Sequence, residues 1–373
     1  IYENVINKNI ISASTIKNGG IAEAISKMTF GNKIGVEIAK ELDMFSYDYG
    51  TLVIESIDEL DYKNAILIGK TTKVQEIKIF EEIIKIDDAI KAYLGTFEHL
   101  YPRIVDKDEK DLEIRDYSHT INVLTKGLNI KPNVFVPVFP GTNSEYDSVN
   151  AFIKAGANAK TLTFRNLNNT YIEESIEAFV NEINNSQILM FPGGFSAGDE
   201  PDGSGKFVAN VLLNKKIKEA VEGLLNRDGL ILGICNGFQA LIKSGLLPNG
   251  IIGDVTKDSP TLAKNNINRH ITKIVHTRVT SNKSPWLMDT PVGSIHEIPV
   301  SHGEGKFVAS KELVEELFKN GQVATQYVNH DGIPTMNGEF NPNGSVSAIE
   351  GITSLDGRIL GKMGHSERKG TNV

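Results

Sequence analysis

The stretch GLILGICNGFQALIKSGLLPNG, residues 229–250, decides how this chain is read. Its apolar opening reads as a buried strand, and NGFQALIKSGLL reads as a helix ended by Gly245 and, soon after, Pro248. Gly233-Ile234-Cys235-Asn236-Gly237 then has the form G-x-C-x-G at a strand-to-helix turn, the cysteine version of a nucleophile elbow. Glycine on each side lets a sharp, strained turn pass without Cβ clashes. The thiol falls at a helix N-terminus, where the dipole favours thiolate, and the Asn236 N–H is aimed where an oxyanion would form. A buried structural cysteine would leave the same five residues, since cysteine is among the most buried residue types.

On either side of this turn, strands and helices alternate. NVFVPVF, AKTLTF, SQILMFPGG and LILGI read as strands. The intervening GTNSEYDSVNAFIKAGA, YIEESIEAFVNEINN and GKFVANVLLNKKIKEAVEGLLNRDG read as helices with turn or cap residues. This alternation predicts an α/β fold with a doubly wound, mostly parallel sheet over residues 131–373. After about residue 270 short strands and turns dominate, which predicts a β-rich excursion near the site.

Residues 1–102 read as a separate, small α+β unit. NKNIISAST, IGVEI, GTLVIES and NAILIGKTT are its strands. KNGGIAEAISKMTFGN is a helix with Ile21, Ala24, Ile25 and Met28 at helical spacing, and KIDDAIKAYLGTFEHLYP a helix stopping before Pro102. Residues 103–130 are charged with little period and read as a linker or wrapping segment.

Composition narrows the function. Of 373 residues 40% are hydrophobic and 23% charged, enough for a sizeable core in two or three domains. A net charge of −8 argues against a broad nucleic-acid or anionic-membrane surface. A single cysteine allows no internal disulfide and fits a reducing cytosol, so a cytoplasmic location is expected. No apolar run reaches the roughly 18–20 residues that span a bilayer. No signal peptide or initiator Met is visible, which suggests a piece of something longer.

A nucleophilic cysteine needs a base, and the base an orienting group. Among eight histidines, two precede an acid by two residues: His302-Gly303-Glu304 and His365-Ser366-Glu367. On an extended segment such positions share a face, so imidazole and carboxylate could be presented together. His365 lies 130 residues after the cysteine, so only the fold could join them. Spacing does not choose between the pairs, and for most histidines a hydrogen-bonded surface role is the ordinary outcome.

FPGGFSAGD, residues 191–199, is a second glycine turn after an apolar strand, suited to anion or oxyanion binding, though a plain βα turn would look alike. It lacks the Gly-Lys-Ser/Thr ending of a nucleotide loop, and GSGK at 203–206 is followed by Phe207. No G-x-G-x-x-G opens a helix after a strand, and no Cys/His cluster has zinc spacing.

Taken together, PVFPGTNSEYD, FPGGFSAGD, GICNGFQAL, PVSHGEGKF and FNPNGSVSAIEGITSLDGRILGKMGHSER resemble, in order, the motifs of the glutaminase domain of phosphoribosylformylglycinamidine synthase, a triad (class I) glutamine amidotransferase. The resemblance covers about residues 131–370 and implies a flavodoxin-like class I glutaminase fold. It implies Cys235 as nucleophile, with His365 and Glu367 as the base pair. It implies that Ser301 and His302 hold glutamine partly through backbone, that Gln239 helps hold it, and that Gly193 or Gly194 with the Asn236 N–H forms the oxyanion hole. Phe238 stands where the family's commoner pattern has a second cysteine, and Ala197 where it has tyrosine.

The N-terminal unit is similar, over about residues 10–80, to the C-terminal domain of the aminoimidazole ribonucleotide synthetase fold, with Asn18 in place of the usual Asp before the two glycines. The resemblance implies the C-terminal part of a large, single-chain, ATP-dependent ligase using glutamine as nitrogen donor. ATP and Mg would then belong to a synthetase region absent from this sequence, with no cofactor in the glutaminase domain and ammonia channelled between the two. The partners implied are glutamine and the rest of the synthetase. Two rivals stand beside this: an inactive docking or regulatory module of the same fold, and a Cys-His-Glu hydrolase of γ-glutamyl compounds or peptides.

Overall fold

The computed structural model describes residues 1–105, 108, 110–119, 131–198 and 203–368. The chain divides into two compact units, Ile1–Arg103 and Ile104–Val373.

The second unit is built on one nine-stranded sheet. Its elements in chain order begin with β1 (Asn133–Val138), α1 (Glu145–Lys154), β2 (Asn158–Thr163), α2 (Asn169–Asn184) and β3 (Ile188–Phe191). They continue with α3 (Lys206–Leu212), α4 (Lys215–Asn226), β4 (Leu230–Ile234) and α5 (Asn236–Ser244). Then come β5 (Ile271–Val279), β6 (Ile295–His302), α6 (Lys311–Lys319), β7 (Val323–Tyr327), β8 (Ile349–Thr353) and β9 (Ile359–Lys362). The strand order is β6-β5-β7-β8-β9-β4-β3-β1-β2. Strands β2, β1, β3, β4 and β9 are joined by parallel pairings. The remaining four join antiparallel, so that β8 and β5 oppose the other seven. The β-rich stretch after residue 270 is therefore no separate excursion: it continues the same sheet.

Central strands carry apolar residues without alternation because helices cover both faces of a parallel sheet. Val134, Phe135 and Val136 of β1 are all fully buried. They share one core with Phe179 of α2, Leu189 of β3, Val221 of α4 and Phe238 of α5. The long stretch expected to be mostly helix, residues 205–229, breaks in two. The first part stops at Leu212, and the Asn214 side chain accepts from the Lys216 and Ile217 N–H groups at 3.1 and 3.5 Å, starting α4 afresh.

Residues 110–117, inside the stretch expected to link or wrap, lie against this unit. The Leu112 N–H donates to the Pro334 carbonyl at 2.7 Å and the Tyr117 N–H to that of Thr280 at 2.9 Å. Asp116 takes both guanidinium nitrogens of Arg278, one at 2.8 Å. Residues 120–130 of the expected linker and the last five residues lie outside the described residues.

In the first unit, strand Ile10–Thr15 pairs antiparallel with Leu52–Ser56. Strand Gly35–Ile38 lies between Gly69–Thr72 and Glu76–Ile79, and Glu82–Lys85 follows. Helix Gly20–Phe30 packs Ile25 with Ile38 and Met44 in a small apolar core. The expected strand NAILIGKTT shortens to its last four residues. The next helix, Ile86–Gly95, ends before Pro102, where glycine is followed by Thr96, whose hydroxyl turns back onto the Ala92 carbonyl at 3.2 Å. Among the described residues of either unit, no helix is long and apolar enough to cross a membrane.

Candidate active site

The turn between β4 and α5 has the strain that its sequence predicts. Cys235 sits at φ 51°, ψ −107°, a region that non-glycine residues seldom adopt. Its flanking glycines are steric necessities: a Cβ on Gly233 would lie 2.6 Å from Leu241 Cδ1, and one on Gly237 would lie 2.0 Å from the Phe191 carbonyl oxygen. The Cys235 N–H donates to the Lys362 carbonyl at 2.9 Å, so the neighbouring strand β9 holds the cysteine's own backbone. The thiol points at the Ser301 carbonyl, 3.8 Å away at the end of β6.

Strand β9 leads directly into the second part of the site. His365 follows it and is buried, with Nδ1 2.6 Å from Glu367 Oε1. This pair is presented by the 3₁₀ turn Ser366–Arg368 rather than by the extended segment that an i, i+2 spacing suggested. Gly193 lies beside both His365 and Cys235. A Cβ built there would meet His365 Cε1 at 2.7 Å and Cys235 Cβ at 3.5 Å. The glycine backbone thus borders both groups at once.

The competing pair separates. His302 is buried, and its Nε2 pairs with Asn343 Oδ1 at 2.9 Å rather than with Glu304. The Glu304 carboxylate instead accepts from the Ser204 N–H at 3.2 Å. Burial pushes the His302 imidazole down to about 3; its bond to Asn343 opposes this, and nearby His365 and His270 reinforce it. His302 is therefore neutral at physiological pH and no proton acceptor for the thiol.

Around the turn Asn236 and Gln239 form one network. Asn236 Nδ2 donates to Gln239 Oε1 at 3.0 Å, and Gln239 Nε2 donates to the Glu304 carbonyl at 2.6 Å. Ser196 Oγ donates to Asn236 Oδ1 at 2.6 Å, tying FPGGFS to the elbow. Helix α5 is thereby joined to the Ser301–Gly305 segment. The two glycines of FPGG differ. The Gly193 N–H is already taken by Ser144 Oγ at 2.8 Å, which makes Gly194 the candidate of the two for an oxyanion contact. The Asn236 N–H opens α5 and has no intrahelical acceptor. Ser144, Asn343 and Ser204 were not singled out beforehand, although Ser144 and Asn343 lie within motifs quoted above. Among the described residues, no group of three or more His, Cys, Asp or Glu is arranged to hold a metal ion.

Residues 131–373 match the CobB/CobQ-like glutamine amidotransferase domain. The chain belongs to that family. Subunit PurQ of phosphoribosylformylglycinamidine synthase from Methanococcus maripaludis is 36% identical over 245 residues, covering 65% of this chain and 84% of its own length. The subunit of that name from Thermomicrobium roseum is 31% identical over 233 residues, covering 62% and 86%. The structure of PurLQS from Thermotoga maritima is similar at 27% identity over 64% of this chain and 89% of that one, with a TM-score of 0.47. The domain is thus a glutamine amidotransferase domain of the phosphoribosylformylglycinamidine synthase kind. Two departures noted in its amidotransferase motifs have places in the fold. Phe238 is fully buried on the core side of α5, over Gly361, and Ala197 takes φ 54° in the turn after FPGGFS.

Proposed function

We propose that this chain hydrolyses glutamine at Cys235 and supplies ammonia to a synthetase that converts formylglycinamide ribonucleotide to the amidine. The observation that carries the reading is the buried His365–Glu367 pair, whose imidazole shares the Gly193 backbone with the Cys235 side chain. The Cys235 thiolate attacks the side-chain amide carbon of glutamine. The oxyanion that forms is held by the Asn236 and Gly194 N–H groups. The C–N bond then breaks as His365 gives its proton to the leaving ammonia, and a γ-glutamyl thioester remains. His365 next takes a proton from water as the water oxygen bonds to the thioester carbon, the C–S bond breaks, and glutamate leaves with the thiolate restored.

Ser301 presents a backbone carbonyl beside the thiol, and Gln239 braces the segment from behind. Both fit the grip on an amide substrate that the sequence resemblance implies. Released to neutral water, ammonia becomes ammonium, which is no nucleophile, so passing it internally to an ATP- and Mg-dependent partner region is the reading adopted. Residues 1–102, through NGGIAEAIS and its strands, are read as a piece of a synthetase-type domain. A cytoplasmic location follows from the same reading.

The test is intact-mass and peptide mass spectrometry after 6-diazo-5-oxo-norleucine, with and without excess glutamine. A single adduct on Cys235 that glutamine blocks is expected. An adduct indifferent to glutamine, or none, would favour the inactive docking module.

A further inference from the structure

Glu350 and Lys362 are buried beside the site, and the scheme above uses neither. Glu350 on β8 is 1% exposed and Lys362, at the end of β9, is 7% exposed. Burying a carboxylate and an ammonium is costly unless each is satisfied, so their partners are informative. Glu350 Oε1 accepts from the Gly364 N–H at 2.6 Å, and Oε2 accepts from Thr325 Oγ1. Lys362 Nζ donates to Ser366 Oγ at 2.7 Å and stands 3.9 Å from Glu350 Oε1. Gly364 and Ser366 are the residues on either side of His365. Meanwhile the Lys362 carbonyl accepts the N–H of Cys235 at 2.9 Å.

We propose that Glu350 and Lys362 are positioning residues that set the His365–Glu367 turn against Cys235. One residue, Lys362, holds the nucleophile by its carbonyl and the base-bearing turn by its side chain. Glu350 grips the same turn one residue before His365 and fixes it to the neighbouring strands β7 and β8. With either grip lost, the imidazole keeps Glu367 but drifts from the thiol. The inference rests on the glutaminase reading of this site.

The test measures the rate of Cys235 alkylation by iodoacetamide against pH in the full chain, with kcat and KM for glutamine alongside. Wild type is compared with Lys362→Met, Glu350→Gln and Ser366→Ala. The titratable groups facing this corner are His365, Tyr327, His302 and the pair itself; Tyr327 titrates well above its usual range through burial, then the Glu350 and Cys235 charges, and His302 stays neutral. Positioning predicts that the alkylation midpoint rises in all three variants, by about one unit in the two buried ones, because the thiolate loses its imidazolium neighbour. It also predicts kcat about 10–100-fold lower with KM changed less than about threefold. A charge effect alone would move the midpoint up in Lys362→Met and down in Glu350→Gln, and that result overturns the proposal. Unmoved midpoints with wild-type kcat overturn it too. Ser366→Ala removes one hydroxyl from an exposed residue and decides the matter if a buried variant fails to fold. Loss of glutamine protection in wild type would sink the glutaminase reading separately, since the alkylation profiles need no turnover.

Discussion

Gly193 and His365 approach so closely that a Cβ at position 193 would lie 2.7 Å from the imidazole Cε1. The same Cβ would lie 2.9 Å from Ser144 Oγ and in ordinary contact, 3.5 Å, with Cys235 Cβ, so the missing side chain is what leaves room for the imidazole beside the cysteine. Gly193→Ala is expected to lower glutamine hydrolysis by about 100-fold or more, the effect of misplacing reacting groups by about 1 Å. Stability should fall by only about 1–3 kcal/mol, the usual cost of overpacking. Initial rates and urea unfolding on one preparation check both.

Glu367 accepts the 2.6 Å bond from His365 Nδ1. Glu367→Gln keeps an oxygen there but removes the charge that steadies an imidazolium. Steady-state kinetics should show kcat lower by about 10²–10⁴-fold, the share that acid–base catalysis contributes, with little change in KM. Wild-type kcat in this variant would remove Glu367 from the mechanism.

His302 makes acid stability a readout of the site's interior. Its imidazole is held at about 3 in the fold, whereas an unfolded histidine titrates near 6.5. Below about pH 6.5 the unfolded chain therefore takes up a proton that the native chain refuses. This group leaves stability unchanged above that pH and removes at most about 1.4 kcal/mol per pH unit between about 6.5 and 3. His302→Gln eliminates the effect while still offering a donor to Asn343. Urea midpoints followed downward from neutral pH should fall less steeply in the variant; parallel slopes would dismiss His302 as the cause.

Phe238 covers Gly361 so tightly that a Cβ there would lie 2.1 Å from the ring. Phe238→Ala is expected to cost about 3–5 kcal/mol, as for other buried aromatic truncations. The ring packs in the core over Gly361, so the folded variant should still show glutamine-protected labelling at Cys235. Loss of protection in a fully folded sample would mean that the ring shapes the pocket.

Legibility in the sequence followed the range of the interactions. The elbow at Gly233–Gly237 was readable because strand, strain and helix start are all determined within a few residues. Which histidine stands by the cysteine is not local. His302 and His365 carry the same acid two positions on, and the difference lies in which strand neighbours β4. Strand β9 pairs with it over four residues and brings His365 along. The β-rich stretch after residue 270 is legible, but its continuation of the sheet by β5 to β8 is not, because short strands do not announce their partners. Ser144 read as a turn or cap residue, yet its hydroxyl serves Gly193, 49 positions away, and gives α1 no side-chain cap. Lys362 was missed because a lysine ending ILGK carries no sign that it will be buried.

Strand β9 comes last of the nine in the chain, yet it lies at the centre of the sheet, between β8 and β4. With 130 residues between them, a ribosome adding roughly 5–20 residues per second makes the thiol about 6–26 seconds before the histidine. Until β9 slots in, two inner edges of the sheet stand open and His365 is not yet beside the cysteine. On the proposed mechanism, the order of birth would keep the thiol idle in an unfinished chain, and the closing of the sheet and the arming of the thiol would be a single event.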